Sequence, residues 1–73
     1  YPKFLTSLRA RVTGLTPREE LLCMLILLGQ TTSQIVDILC INHASVNVMR
    51  YRIRQKMGLP KDGSLEDELK SLV

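Results

Sequence analysis

Apolar residues recur along most of this chain at helical spacing, and the strict alternation typical of strands is nearly absent. Phe4, Leu8 and Val12 recur every four residues ahead of Gly14, which predicts a short amphipathic helix. Residues 21–28 then form one continuous apolar run. Because a helix made from this run is apolar on every side, we expect it to lie buried at the centre of the domain.

Polar residues that can cap helices stand just before the apolar segments. A Ser, Thr or Asn side chain at a helix start accepts backbone N–H groups, and an acid or amide three residues later can complete a capping box. Pro is also well tolerated at the first helical position. The predicted starts are Thr16 with Pro17 and Glu19, Thr31 with Gln34, Asn42, and Ser64 with Asp67.

These signals divide the remainder of the chain into four more short helices. The helix after Thr31 should turn Ile35, Val36, Ile38 and Leu39 inward, and residues 40–42 form a tight turn. A longer helix is predicted over residues 43–57, ending at Gly58, and a last helix carries Leu65, Leu69 and Leu72 on one stripe. The predicted fold class is all-α, a small helix bundle that contains a helix-turn-helix.

The faces of the helix over residues 43–57 differ sharply. At 100° per residue, Val46, Met49, Ile53 and Met57 fall in one sector and should face the core. The opposite sector contains Ala44, Val48, Tyr51 and Gln55, with Asn47 at its edge. Long cations flank it, with Arg50 and Arg54 on one side and Arg52 and Lys56 on the other.

Charge is segregated along the chain although the net charge is only +3. Residues 38–61 carry five basic residues and no acid, while residues 19–37 and the tail from Asp62 are acidic overall. Charge blocks of this kind say more about partners than about fold. The basic block, centred on one predicted helix, is therefore the feature to explain.

Composition excludes several other classes of protein. The 73 residues suit one domain, and the longest apolar run is far shorter than the roughly 20 residues of a membrane span. Cys23, Cys40 and His43 cannot complete a closed zinc site without acid ligands, and no nucleophile, carboxylate pair or phosphate-binding glycine loop is visible. We predict no catalytic residue, no metal and no cofactor, and two reduced thiols in an intracellular protein.

The residue types on the long helix suit the reading of duplex DNA. Asn can pair with adenine and an apolar group can meet the thymine methyl, whereas long cations reach phosphates. We expect base contacts from Asn47, Val48, Tyr51 and Ala44. We expect phosphate contacts from Arg50, Arg52, Arg54, Lys56, His43 and Gln55.

Spaced motifs over residues 15–59 resemble the LuxR/GerE-type helix-turn-helix family, the C-terminal output domains of bacterial transcription regulators. They are Leu15-Thr16-Pro17-Arg18-Glu19, then Gly29, Thr31, Ile35, Leu39, Ile41, Ser45-Val46 and Lys56-Met57-Gly58-Leu59. The resemblance implies a four-helix domain over residues 15–73 whose recognition helix spans residues 43–57. It also places base contacts on Asn47, Val48 and Tyr51.

Further expectations follow from the resemblance. The last helix often forms a homodimer interface in the family, here Leu65, Leu69 and Leu72. Residues 1–14 should form a connector helix from an upstream sensor domain, since the chain begins at Tyr1 rather than Met. We expect a cytoplasmic, nucleoid-associated protein that contacts RNA polymerase, with the full-length form open to membrane tethering through the upstream domain.

The sequence departs from the family pattern at two positions of the recognition helix. Asn47 stands where Lys is usual and Met49 where His is usual, so the resemblance implies the binding mode but not which DNA site is read. The unusually basic run 50–54 resembles a subgroup fused to tetratricopeptide repeats or large sensor modules. Two alternatives stay open: a sigma-factor-like promoter-reading module, and a helical protein-interaction module whose basic face meets an acidic partner.

Overall fold

A computed structural model describes residues 2–60 and 63–73 of the chain. These residues fold into five helices joined by turns. No strand occurs in these residues, so the predicted all-α class is confirmed. The helices are α1 (Pro2–Arg11), α2 (Pro17–Leu27), α3 (Thr32–Leu39), α4 (His43–Met57) and α5 (Leu65–Lys70).

The predicted caps form at the starts of four helices. Both halves of the capping box are present at Thr16 with Glu19 and at Thr31 with Gln34. Asn42 accepts the backbone N–H of Ser45 at 2.8 Å, and Ser64 caps α5 in the same way. Each such cap typically stabilises a helix by about 1 kcal/mol, which matters for helices this short.

One aliphatic core joins all five helices. From α1 it takes Phe4 and Leu8, and from the position just after that helix Val12, none more than 4% exposed, so the first helix packs as part of the same body as the rest. The other buried apolar side chains come from α2 to α5. They are Leu22, Cys23, Leu25, Ile26, Ile35, Val46, Ile53, Met57, Leu65 and Leu69.

The apolar faces of α2 and α3 are covered less completely than the sequence predicts. Leu21 of α2 is 43% exposed and Leu28, its C-cap residue, 51%; Ile38 of α3 is also 51% exposed. The prediction that α2 is buried on every side is therefore wrong, as is the inward orientation of Ile38. In a domain this small, too few helices are present to surround a central one.

A tight turn connects α3 to α4 and forms the predicted helix-turn-helix. Cys40 ends α3 in the left-handed conformation at φ 55°, and the N–H of Ile41 returns to the carbonyl of Val36. Asn42 then caps α4. The long helix ends at Gly58, whose φ of 68° is the left-handed C-terminal stop expected of a glycine.

None of the helices in the described residues combines the length and apolar character needed to cross a membrane.

Candidate nucleic-acid interface

The outer face of α4 presents a narrow strip of side chains to solvent. Its members, here called the reading strip, are Ala44, Asn47, Val48 and Tyr51, all exposed. Val48 is 47% and Tyr51 60% exposed, although both could have joined the core of a small bundle. On the opposite face Val46, Ile53 and Met57 are buried and Met49 is partly buried against the core, as the helical wheel predicts.

A hydrogen bond within α4 fixes the polar end of the reading strip. The side-chain amide of Gln55 donates to the Tyr51 hydroxyl oxygen at 2.7 Å, one helical turn apart. The Tyr51 hydroxyl still has its own proton to donate. The strip therefore presents the amide of Asn47, the apolar side chain of Val48 and the phenol of Tyr51 along one side of α4.

The flank of α4 that carries Arg50 and Arg54 is tied to α5 and to the segment leading into it. Arg50 forms an ion pair with Glu66, and Arg54 donates to the carbonyl of Gly63 and, at 3.0 Å, to that of Pro60. Burial raises the pKa of Glu66, but the hydrogen bonds from Arg50, Ser64 and its own backbone, together with the charge of Arg50, outweigh burial and leave that pKa below its ordinary value.

The other flank of α4 is tied to the start of α2 through Lys56. Its ammonium donates to Glu19 Oε1 at 2.6 Å and to the carbonyl of Gly14 at 2.9 Å. Glu19 is only 4% exposed. Burial raises its pKa, and the hydrogen bonds from Lys56 and the Thr16 amide more than offset this, leaving the pKa lowered. Lys56 thus satisfies a buried carboxylate.

Arg52 differs from the other cations of α4. Its side chain is exposed and forms no ion pair within residues 2–60 and 63–73. His43 is also exposed, at the first position of α4. Of the four cations predicted to contact phosphates, Arg50, Arg54 and Lys56 each have a protein partner. The fifth basic residue of the block, Lys61, lies outside the described residues.

A cation that the sequence did not single out lies beside Arg52. Arg18, exposed in the first turn of α2, lines a groove of about 300 Å³ together with Arg52 and Met49. A second groove of about 320 Å³ runs along α4 from Asn42 past Val48 to Arg52. Residues 1–18 carry four basic residues and no acid, but this pattern cannot show that α2 begins next to α4.

The leucine stripe of α5 belongs to the core. Leu65 is 1% and Leu69 0% exposed, packed within the same cluster as α2, and Leu72 is partly buried against it. The prediction that this stripe forms a homodimer interface is therefore wrong for Leu65 and Leu69, because the chain itself covers both side chains. Both side chains instead close the core of the domain.

The two cysteines have separate environments. Burial is the main cause that raises the pKa of the Cys23 thiol to about 12, with the nearby Glu19 and Glu20 adding to it, so the thiol stays protonated. Cys40 is exposed at the turn and its thiol lies 3.7 Å from the carbonyl of Asp37. In the described residues, no three His, Cys, Asp or Glu side chains cluster in a way that could hold a metal ion.

Comparison with known proteins identifies a family. The sequence model for bacterial regulatory proteins of the luxR family matches residues 13–65, which is most of the chain and includes the whole of α2, α3 and α4. Neither the curated proteins nor the solved structures give a significant match. The matched segment begins just after α1 and includes the reading strip and both of its flanks.

Proposed function

The chain belongs to the luxR family of bacterial regulatory proteins, a family with a DNA-binding helix-turn-helix domain, and we propose that it binds duplex DNA sequence-specifically through α4. In this proposal α4 is the recognition helix and lies in the major groove, as the second helix of such a motif does. The domain acts as a transcriptional output module with no catalytic role.

The observation that carries this proposal is the reading strip. An exposed amide, Asn47, and an exposed apolar group, Val48, lie on a helix whose other sides are fixed to the core and to two neighbouring segments. Asn can form a bidentate contact with adenine, and Val can meet the thymine methyl. Ala44 lets the helix approach closely, and Tyr51 reaches a base or sugar.

Phosphate contacts complete the proposed interface. Arg52 and His43 are exposed toward solvent at the margins of the strip, and Gln55 lies at its end. Arg50, Arg54 and Lys56 belong to the proposal as well. A guanidinium has five N–H donors, so Arg50 can hold Glu66 and still reach a phosphate. The acids paired with these cations nevertheless make this face less positive than the run of basic residues in the sequence suggests.

The assembly is proposed on the same basis. The domain binds as a homodimer across two half-sites, contacts RNA polymerase, and takes its input from an upstream sensor domain in the same chain, in the cytoplasm or tethered at the membrane. Residues 15–73 form the DNA-binding domain and residues 1–14 the connector. Since α1 contributes Phe4 and Leu8 to the shared core, this connector is packed onto the domain that it serves.

Binding to duplexes at several salt concentrations tests the function. We expect affinity for random duplex to fall steeply with salt, because binding to phosphates releases counterions. A flat salt dependence would contradict the DNA proposal and favour an acidic protein partner. Selection from a random duplex library then supplies the preferred site.

One substitution tests the reading strip. Asn47→Ala should cost about 1–3 kcal/mol at the preferred site and little on random duplex. Thr6→Ala, at an exposed position of α1, is the control and should change neither affinity. Equal losses of affinity on every DNA sequence would show that Asn47 does not contact bases.

A further inference from the structure

The start of α2 and one flank of α4 form the walls of a single groove. Its lining residues are Thr16, Arg18, Glu19, Met49, Arg52 and Lys56. The neighbouring groove along α4 shares Met49 and Arg52 and extends past Val48 to Asn42. Together the two form a track that runs beside the reading strip and ends at the first turn of α2.

Some charged side chains in this groove have a partner of opposite charge and others do not. The carboxylate of Glu19 accepts Lys56 and the Thr16 amide and is almost fully buried, so it does not compensate the other cations. Arg18 and Arg52 are both exposed, and neither pairs with an acid in the described part of the chain. Two guanidinium groups thus line one open groove without a counter-charge.

We propose that Arg18 and Arg52 together bind one phosphate of the DNA backbone, in the groove between α2 and α4. This inference rests on the proposed function. Guanidinium groups present planar N–H forks that match phosphate oxygens. A backbone phosphate fits better than a free anion, because Arg52 adjoins Val48 on the same helix face. A strand whose bases meet the reading strip passes directly over this groove.

Arg18 has a particular role in this arrangement. Every other proposed contact comes from α4, and contacts from one helix leave that helix free to roll in the groove. A contact from α2 adds a point off the axis of α4, and phosphate contacts of this kind set register and orientation. Arg18 is therefore a positioning contact, and it carries no sequence preference of its own.

Charge removal at Arg18 gives the first test. Arg18→Ala should lower the salt slope of duplex binding by about 1 and weaken binding about fivefold near 0.15 M salt, equally on all sequences. Arg18→Lys should keep most of the slope, since the charge remains. Lys3→Ala removes an exposed cation of α1, outside both grooves, and should leave the slope unchanged. Circular dichroism checks that each variant is folded.

Neutral phosphates give the decisive test. Methylphosphonate is substituted at one backbone position of the preferred duplex at a time. We expect one position at which this substitution weakens binding by the wild-type protein and has a smaller effect on both Arg18→Ala and Arg52→Ala, since each variant keeps only one of the two guanidinium groups. If both variants remain as sensitive as the wild type at every position, the shared phosphate is ruled out.

The outcomes separate this inference from the proposed function. If the wild-type protein shows no salt-dependent duplex binding, the DNA function itself fails. If the wild type binds and Arg52→Ala weakens binding but Arg18→Ala does not, only the inference about Arg18 is overturned. Sequence-dependent loss from Arg18→Ala would also overturn it, because a backbone contact has no preferred sequence.

Discussion

The ammonium of Lys56 lies 2.6 Å from Oε1 of Glu19, the same oxygen that accepts the backbone N–H of Thr16 at 2.9 Å. The side chain that completes the capping box of α2 therefore also anchors the C-terminal turns of α4. Because the carboxylate is buried and Lys56 is only partly exposed, each partner depends on the other for its solvation.

Substitution of either partner should reveal this dependence. We expect Lys56→Met to destabilise the domain more than Glu19→Gln, because Lys56→Met leaves a buried carboxylate without its cation. Partial exposure of Lys56 screens the pair, so the coupling from a double-mutant cycle should be about 1 kcal/mol. Urea unfolding of the two variants and the double variant measures it, and additive losses would contradict the coupling.

The free energy of unfolding should fall in acid as the carboxylates of Glu19 and Glu66 become protonated. The pKa values of Glu19 and Glu66 lie below the ordinary 4.5 in the folded chain. Their contribution is thus fully present above the unfolded-state pKa and is lost as pH falls through the lowered values. Thermal unfolding between pH 7 and pH 3 should show a shallower decline for Glu19→Gln than for the wild type. Equal declines would contradict this assignment.

Glu66 should weaken DNA binding in the wild-type protein. Its carboxylate pairs with Arg50 on the flank of α4. Glu66→Gln removes that negative charge and should raise affinity for random duplex about threefold or more at low salt. Glu68→Gln is the matched control, because Glu68 pairs with Arg11 of α1 instead. An equal gain from both variants would show a general charge effect and no specific role for the Arg50 pair.

Local signals explain which parts of the fold the sequence could predict. Asn42 and Gly58 delimit α4 because a cap acts on backbone groups within a few residues, and the predicted range 43–57 matches the helix. The partners of Lys56 and Arg50 could not be predicted in this way, since Glu19 and Glu66 become neighbours only through packing. A basic block without acids in its own sequence is therefore still partly neutralised.

The same limit applies to apolar stripes. A leucine stripe on a short helix predicts burial, but not whether the same chain or a second copy covers it. Leu69→Ala should lower the free energy of unfolding by about 2–5 kcal/mol, the usual cost of a large cavity in a core. The loss should be the same at every protein concentration. A loss that grew on dilution would indicate that Leu69 is buried in an interface between two copies.

The turn of the helix-turn-helix stores backbone strain at Cys40. Its φ of 55° crowds the Cβ of any residue except glycine. Cys40→Gly should therefore be neutral or stabilise the domain by up to about 1 kcal/mol, whereas the β-branched Cys40→Val should destabilise it. Cys40→Ser retains a Cβ without branching and is the control. Thermal unfolding ranks the stabilities of the three variants. A Cys40→Val variant more stable than the wild type would contradict backbone strain at this position.

Anchoring of α4 on three sides separates stability and recognition within a single helix. Core contacts hold Val46 and Ile53, and the two flanks hold Arg50 and Lys56. The four residues of the reading strip take no part in this support. Under the proposed function, binding preference can therefore change by exchange of those residues alone, and we expect a library varied at these positions to yield folded proteins with new targets.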